Sequence, residues 1–95
     1  WEQLKKAEKG RASVMDGIPA ALPALLYAQK VQRKAESQGV DWRDLVAGDE
    51  RLGPTARRLL EAVDTAARSG DDAETELRVA AEHIRDRFRA HEKHG

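Results

Sequence analysis

The sequence has no cysteine, only two tryptophans, one tyrosine and one phenylalanine, and no long apolar run. Without cysteine the chain can form no disulfide, no thiolate zinc site and no cysteine nucleophile, which favours an intracellular, cytoplasmic protein. The longest apolar stretch, Ile18–Ala28, contains two prolines and is about half the roughly 20 residues that a membrane-spanning helix needs. We therefore expect no transmembrane segment, and the chain also lacks the residue order of a signal peptide.

Neither sign of charge is in excess, because lysine and arginine together number 17 and so do aspartate and glutamate. This balance excludes a broad electrostatic attraction to nucleic acid or to anionic lipid. Few aromatic side chains are present to stack on bases, so we expect no DNA partner. Phosphate or nucleic-acid capture remains a minority interpretation, and the side chains that would carry it are Arg57, Arg58, Arg85 and Arg87.

The apolar residues of this chain are rich in alanine, which contributes little to the free energy of burial. A chain of 95 residues also buries a smaller share of its surface than a larger domain does. Because it begins with tryptophan, we expect the chain to be part of a longer polypeptide. We expect it to bury additional apolar surface against a second copy of itself or against the rest of that polypeptide.

Helix-forming residues dominate and no stretch alternates convincingly between apolar and polar side chains, so the sequence predicts an all-α fold. A first helix is expected over Trp1–Ala12. After a turn, a second is expected over Pro19–Ser37, restarting at Pro23 and closed by Gly39.

The second half of the sequence predicts a helical hairpin after a loop at 43–53. Pro54 begins one helix and Gly70 stops it, while Asp71 and Glu74 have the spacing of a cap for the next helix. The short connection forces the two helices to fold back on each other. The apolar residues expected to be structural are Leu59, Leu60, Val63, Leu77, Ile84 and Phe88.

Side chains able to support catalysis or bind metal are few. Three histidines lie in the last turns of the final predicted helix, where the helix dipole favours them: His83, His91 and His94. Three carboxylate pairs have the spacing of a helical magnesium site: Glu61 with Asp64, Asp72 with Glu76, and Glu82 with Asp86. Glu61 and Asp64 are expected beside the apolar stripe on the solvent side, and Glu82 and Asp86 alternate with arginines, which favours exposed salt bridges. We therefore expect no catalytic residue and no metal ligand among them.

The order of residues in three stretches resembles a known family. These stretches are the run from Trp1 (WEQLKKAEK), the run from Arg11 to Gln32 (RASVMDGIPAALPALLYAQKVQ), and Gly39-Val-Asp-Trp42. They resemble the segment between the two repeats of the MazG family of nucleoside triphosphate pyrophosphohydrolases. Further residues resemble the last two helices of that family's C-terminal repeat: Leu59-Leu60 through Ala67-Arg68, Gly70, Ala73, Leu77, and Arg87-Phe88-Arg89 through Glu92.

The resemblance implies a helical bundle and a parent enzyme that splits a nucleoside triphosphate into monophosphate and pyrophosphate. In the family an all-α dimer uses magnesium held by a Glu-x-x-Glu pair and a Glu-x-x-Asp pair, and the metal neutralises the triphosphate and helps to generate the attacking hydroxide. By resemblance, residues 1–42 form the inter-repeat helical segment, 43–53 a shortened loop, and 54–95 a degenerate C-terminal MazG-like hairpin.

The acidic pairs of the family are not matched here. The second pair aligns with Thr55 and Arg58, and the cationic Arg58 would repel a metal ion. The helix that should carry the first pair is replaced by the loop at 43–53. The family's Asn-x-Lys-Phe aligns with Ala81-Glu-His83-Ile84, which leaves His83 and Arg87 as phosphate-binding candidates by resemblance.

Two functions follow as expectations. In the first, the parent is a magnesium-dependent pyrophosphohydrolase, while this chain alone is inactive, needs no cofactor, and serves dimerisation or scaffolding against a second copy or the parent's N-terminal repeat. In the second, the chain is a helical protein-interaction module without nucleotide chemistry, which binds a partner helix through the face over Ala56–Ala67.

Overall fold

The computed structural model describes residues 13–94, which form one short 3₁₀ helix and four α-helices and contain no strand. The all-α prediction is confirmed. The predicted first helix, Trp1–Ala12, lies outside the described residues. The elements are the 3₁₀ helix Val14–Gly17, α1 Ala24–Ser37, α2 Trp42–Leu45, α3 Pro54–Arg68 and α4 Ala73–His94.

The helix α1 begins at Ala24 rather than at Pro19. Pro23 is its N-cap residue, because proline is not tolerated in the interior of a helix. Its end matches the predicted stop. Gly39 has a φ of 76°, and the Val40 N–H donates to the Ala35 carbonyl at 3.0 Å. This is a Schellman ending, which favours glycine because of the left-handed backbone.

The loop predicted at 43–53 starts with one helical turn, α2, capped by the Asp41 carboxylate, which accepts from the Arg43 backbone N–H at 3.0 Å. The rest of the loop is held from α3. The Arg57 guanidinium donates to three backbone carbonyls: Leu52 at 3.3 Å, Val46 at 3.1 Å and Asp49 at 2.9 Å.

The helices α3 and α4 begin and end close to the predicted positions. Pro54 lies in the first turn of α3, and Gly70, with a φ of 80°, ends it. The cap of α4 differs from the prediction, because Asp72, not Asp71, accepts from the Glu74 backbone N–H at 3.1 Å. The Glu74 carboxylate instead accepts from the Leu25 backbone N–H at 3.1 Å, which joins the start of α4 to the start of α1.

The core lies where α1 packs against α3 and where Trp42 of α2 reaches them. Its buried apolar residues are Ala35, Trp42 and Val63, with Val63 only 1% exposed. The helix α1 contacts both α3 and α4, and α3 contacts α4 across the short connection after Arg68. None of the helices within residues 13–94 is long and apolar enough to cross a membrane.

Candidate functional site

A buried carboxylate, Asp64 on α3, organises the polar side of the core. Its Oδ2 accepts from Arg43 Nη2 at 2.9 Å and from Arg68 Nε at 2.8 Å, and its Oδ1 accepts from Trp42 Nε1 at 3.2 Å. The Asp64 side chain is 8% exposed. Burial alone would raise the pKa of Asp64, but the donors Arg68, Arg43 and Trp42 outweigh it and hold this pKa below its usual value.

The same arginine, Arg43, also holds the second carboxylate of α3. Its Nε and Nη2 donate to the two Glu61 oxygens at 2.7 Å each, a bidentate pairing that hydrogen-bonds both oxygens. The Arg43 guanidinium also lies over the Trp42 ring, 4.6 Å from its centroid. Hydrogen bonding from Arg43 lowers the pKa of Glu61, and the two carboxylates raise the pKa of Arg43.

Glu61 and Asp64 therefore lie on the same side of α3, as their spacing predicts, and both bind arginine. The expectation that both face solvent is wrong for Asp64, which is buried. Guanidinium groups already occupy the oxygens that a divalent cation would need, so this pair does not fit magnesium. Between residues 13 and 94 no group of three or more histidine, cysteine, aspartate or glutamate side chains is placed to hold a metal ion.

The other predicted carboxylate pairs are also engaged elsewhere. The Asp72 carboxylate caps α4 by accepting from the Glu74 backbone N–H, and it also accepts from Thr75 Oγ1 at 2.7 Å. Glu82 lies 3.7 Å from the Arg78 guanidinium, and Asp86 pairs with Arg85 at 3.0 Å.

The two positions that the resemblance predicts to align with the family's second acidic pair lie in the first turns of α3. Thr55 and Arg58 are both exposed, and neither belongs to the Asp64 cluster, which comprises Trp42, Arg43, Glu61, Asp64 and Arg68. These two side chains offer a magnesium ion a single oxygen, the hydroxyl of Thr55. The residues present at this position do not fit the metal.

The two phosphate-binding candidates, His83 and Arg87, lie one turn apart on α4. Both are exposed and neither is hydrogen-bonded or ion-paired to any residue of the part of the chain that the structure describes. Their phosphate-binding role stays a prediction. Of the other arginines predicted for phosphate capture, Arg57 is committed to the loop carbonyls and Arg85 to Asp86.

The predicted structural residues divide into two groups. Val63 is buried and Leu60 is partly buried, whereas Leu59 is 50% exposed. On α4, Leu77, Ile84 and Phe88 are 57%, 69% and 59% exposed. The apolar stripe of α4 is therefore not buried inside the described chain, because α1 and α3 contact α4 without covering these side chains.

We call the three residues Leu77, Ile84 and Phe88 the α4 face. Their spacing of seven and four residues places them on one side of the helix. His91 extends this side, with its ring centroid 6.2 Å from that of Phe88. An exposed row of large apolar side chains at helical spacing is typical of a surface that another helix covers.

The Asp64 cluster is the part of the site that the sequence did not predict. It joins residues from α2 and α3 that are 21 and 22 positions apart, so no local pattern reveals it. One signal was available: Asp64 and Arg68 have the spacing of a helical ion pair, and here they are 2.8 Å apart.

Comparison with known proteins relates the chain to enzymes that act on nucleoside triphosphates. It is 39% identical over 67 residues to a nucleoside triphosphate pyrophosphohydrolase of Escherichia coli, covering 67% of this chain and 23% of that protein. It is 33% identical over 94 residues to one of Mycobacterium tuberculosis, covering 98% of this chain and 25% of that protein.

A third relative carries the MazG name. It is the nucleoside triphosphate pyrophosphohydrolase/pyrophosphatase MazG of Thermotoga maritima, 35% identical over 66 residues, covering 67% of this chain and 26% of that protein. Over most of its length the chain is homologous to MazG-type nucleoside triphosphate pyrophosphohydrolases, and the resemblance in the sequence is confirmed. It spans about a quarter of the length of these relatives. No protein-family profile matches the chain, and no solved structure is significantly similar to it.

Proposed function

We propose that this chain is a non-catalytic part of a MazG-type nucleoside triphosphate pyrophosphohydrolase and that it serves assembly. The parent would convert a nucleoside triphosphate to monophosphate and pyrophosphate with Mg²⁺, the metal that the homology implies, in the cytoplasm. This chain would supply helices through which two copies associate. The α4 face would be the surface of that contact.

The exposure of the α4 face is the observation that carries this proposal. Leu77, Ile84 and Phe88 each leave more than half of their surface in water, while the core within residues 13–94 holds three buried apolar residues. Full burial of a side chain of this size stabilises by about 1.5–3 kcal/mol. A second copy that presents the same stripe would bury both stripes at one isologous interface.

The non-catalytic part of the proposal rests on the carboxylates. By the resemblance, Thr55 and Arg58 take the positions of two family acids, and in the structure Glu61 and Asp64 are bound by arginines. A pyrophosphohydrolase that uses Mg²⁺ needs clustered oxygen ligands to bring the metal to the triphosphate. The purified chain should release no pyrophosphate from a nucleoside triphosphate, and Mg²⁺-dependent release that stops on chelation would contradict this.

The assembly part is tested by sedimentation velocity over a range of concentrations with two matched variants. Ile84→Glu places a charge in the α4 face, whereas Val79→Glu places the same charge at another apolar residue that is more than half exposed, on another side of α4. We expect the chain to dimerise, Ile84→Glu to weaken the dimer about 100-fold or more by burying an unpaired carboxylate, and Val79→Glu to leave it unchanged.

Three results would contradict this interpretation. The first is that both variants weaken the dimer equally. The second is that the chain stays monomeric at high concentration yet binds the N-terminal repeat of a MazG relative, which makes that repeat the partner. The third is that the chain binds an unrelated helical protein and does not bind the N-terminal repeat. This result would favour the alternative function, a protein-interaction module without nucleotide chemistry.

A further inference from the structure

The α4 face is bordered on each side by a row of charged side chains. One row consists of the residues that directly precede Leu77, Ile84 and Phe88 in the sequence, and the other consists of the residues that directly follow them. Successive residues of a helix are turned by about 100°, so each row runs along one border of the α4 face. We call these rows the first edge, Glu76, His83 and Arg87, and the second edge, Arg78, Arg85 and Arg89.

The second edge lies nearer to the rest of its own chain. Glu82, three or four positions from Arg78 and Arg85 and so on the same side of α4, is partly buried, whereas all residues of the first edge are exposed. The arginines of the second edge already have partners. Arg78 lies 3.7 Å from Glu82, and Arg85 and Arg89 lie 3.0 Å and 3.9 Å from Asp86. The charge of this edge is therefore compensated within the chain.

The two charges of opposite sign on the first edge, Glu76 and Arg87, are placed differently. Neither has a residue of opposite charge three or four positions away, the separation at which side chains of one helix meet. Neither forms an ion pair or a side-chain hydrogen bond with another residue of 13–94. Eleven residues separate them, about three turns, so they lie on the same edge about 16 Å apart along the helix axis.

This edge is complementary to itself in one orientation. When two copies of a helix pack in opposite directions about a two-fold axis, each edge meets the same edge of the other copy. Glu76 then lies beside Arg87 of the second copy, and Arg87 lies beside Glu76 of the second copy. When the copies pack in the same direction, each edge meets the opposite edge, and Arg87 lies beside Arg89 of the second copy, a contact between like charges.

We propose that two copies of this chain pair antiparallel through the α4 face and that Glu76 and Arg87 form two symmetry-related ion pairs across the interface. This inference rests on the proposed dimer and gives it a direction. Because Leu77 follows Glu76 and Phe88 follows Arg87, the same arrangement brings Leu77 against Phe88 of the second copy. Charges that border a helix pair select the partner and its orientation more than they add affinity.

The test is a charge exchange, with the dimer measured by sedimentation velocity at low ionic strength. Glu76→Arg and Arg87→Glu should each weaken the dimer about tenfold, because the two-fold axis turns two attractive pairs into two repulsive ones. The double variant restores both pairs and should dimerise like the parent chain. Glu50→Arg makes the same change of charge at an exposed residue of the loop 43–53 and should have no effect.

A mixture of the two single variants gives a second readout. Glu76→Arg carries two positive side chains at these positions and Arg87→Glu carries two negative ones, so each pair across a mixed interface is attractive. The mixture should therefore form a heterodimer at least as tight as the dimer of the parent chain. Added salt should reduce the differences among all these proteins, because exposed charges are screened.

The outcomes separate the direction of the dimer from its existence. If the parent chain dimerises and Ile84→Glu prevents this, but the double variant is no better than the single variants, the antiparallel pairing is overturned and the dimer stands. Single variants that dimerise like the parent chain, or a Glu50→Arg that weakens the dimer equally, would also overturn the pairing. A parent chain and a mixture that both remain monomeric would overturn the dimer together with this inference.

Discussion

The Asp64 carboxylate joins side chains of α2 to α3. Its two oxygens receive donors from Trp42, Arg43 and Arg68, so one carboxylate fixes an indole and two guanidinium groups. A buried carboxylate is favourable only while such donors compensate for its lost hydration. At the residue scale, the same arginines that stabilise the fold also exclude a metal from these oxygens.

Removal of the Asp64 carboxylate should therefore destabilise the chain. We expect Asp64→Ala to lower the free energy of unfolding by about 2–4 kcal/mol, because the Trp42 N–H loses its acceptor and two arginines lose their buried partner. Urea denaturation followed by circular dichroism measures this. Asp44→Ala, an exposed aspartate on α2, is the control and should be silent. An equal effect of the two substitutions would show that the cluster contributes no stability.

The cluster also predicts the pH dependence of stability. The folded pKa of Asp64 is depressed below its usual 3.8, and the folded pKa of Glu61 below its usual 4.5. Their contribution to stability is thus complete above about pH 5 and is lost as the pH falls through the two depressed values. The melting temperature of the parent chain should fall steeply below pH 4, and that of Asp64→Asn should fall less. Parallel curves for the two proteins would contradict the assignment.

At the scale of elements, the endings of the helices are the most predictable part of the structure. Pro54 and Gly70 bound α3 as the sequence predicts, because proline and glycine act through their own backbone geometry. The helix α1 starts at Ala24, next to the restart expected at Pro23, and the earlier start at Pro19 was wrong. The Glu74 carboxylate accepts a hydrogen bond from the Leu25 backbone N–H instead of capping its own helix. This contact between two helices cannot be predicted from local sequence.

A pair of glycine substitutions tests this local control. Gly70 has a φ of 80° and no atom near the position of a new Cβ, so Gly70→Ala suffers only from the left-handed backbone and should cost about 1 kcal/mol. Gly53 has an ordinary φ of −76°, the same open space and the N-cap position of α3, so Gly53→Ser, which places a good N-cap residue there, should not lower stability. Thermal unfolding of the two variants decides, and equal losses would refute the conformational explanation.

At the scale of the whole molecule, the apolar side of one helix, α4, is left exposed by the described chain. The sequence predicted the apolar stripe of α4 correctly as a stripe, but periodicity shows only that a face is apolar, not whether its cover comes from the same chain. In the structure Leu77, Ile84 and Phe88 remain exposed, while Val63 on α3 is buried. The pairing of Glu61 with Asp64 followed from their spacing, and its arrangement, with arginines bound to both carboxylates, followed only from the tertiary structure.

Two alanine substitutions separate a core position from an interface position. Leu60 is partly buried within the chain, so Leu60→Ala should cost about 2–3 kcal/mol at any protein concentration. Ile84 is 69% exposed, so Ile84→Ala should cost little at low concentration. At high concentration the same variant should lose the rise in melting temperature that dimerisation gives the parent chain. A concentration-independent loss for Ile84→Ala would place this residue in the core of a single chain.

The most direct test of the proposed assembly is an isotope-filtered nuclear Overhauser measurement on a mixture of ¹³C-labelled and unlabelled chains. The account predicts intermolecular contacts from the methyl groups of Ile84 and Leu77 to the aromatic protons of Phe88 in the other copy. Intermolecular contacts confined to a different surface, or none at millimolar concentration, would contradict it.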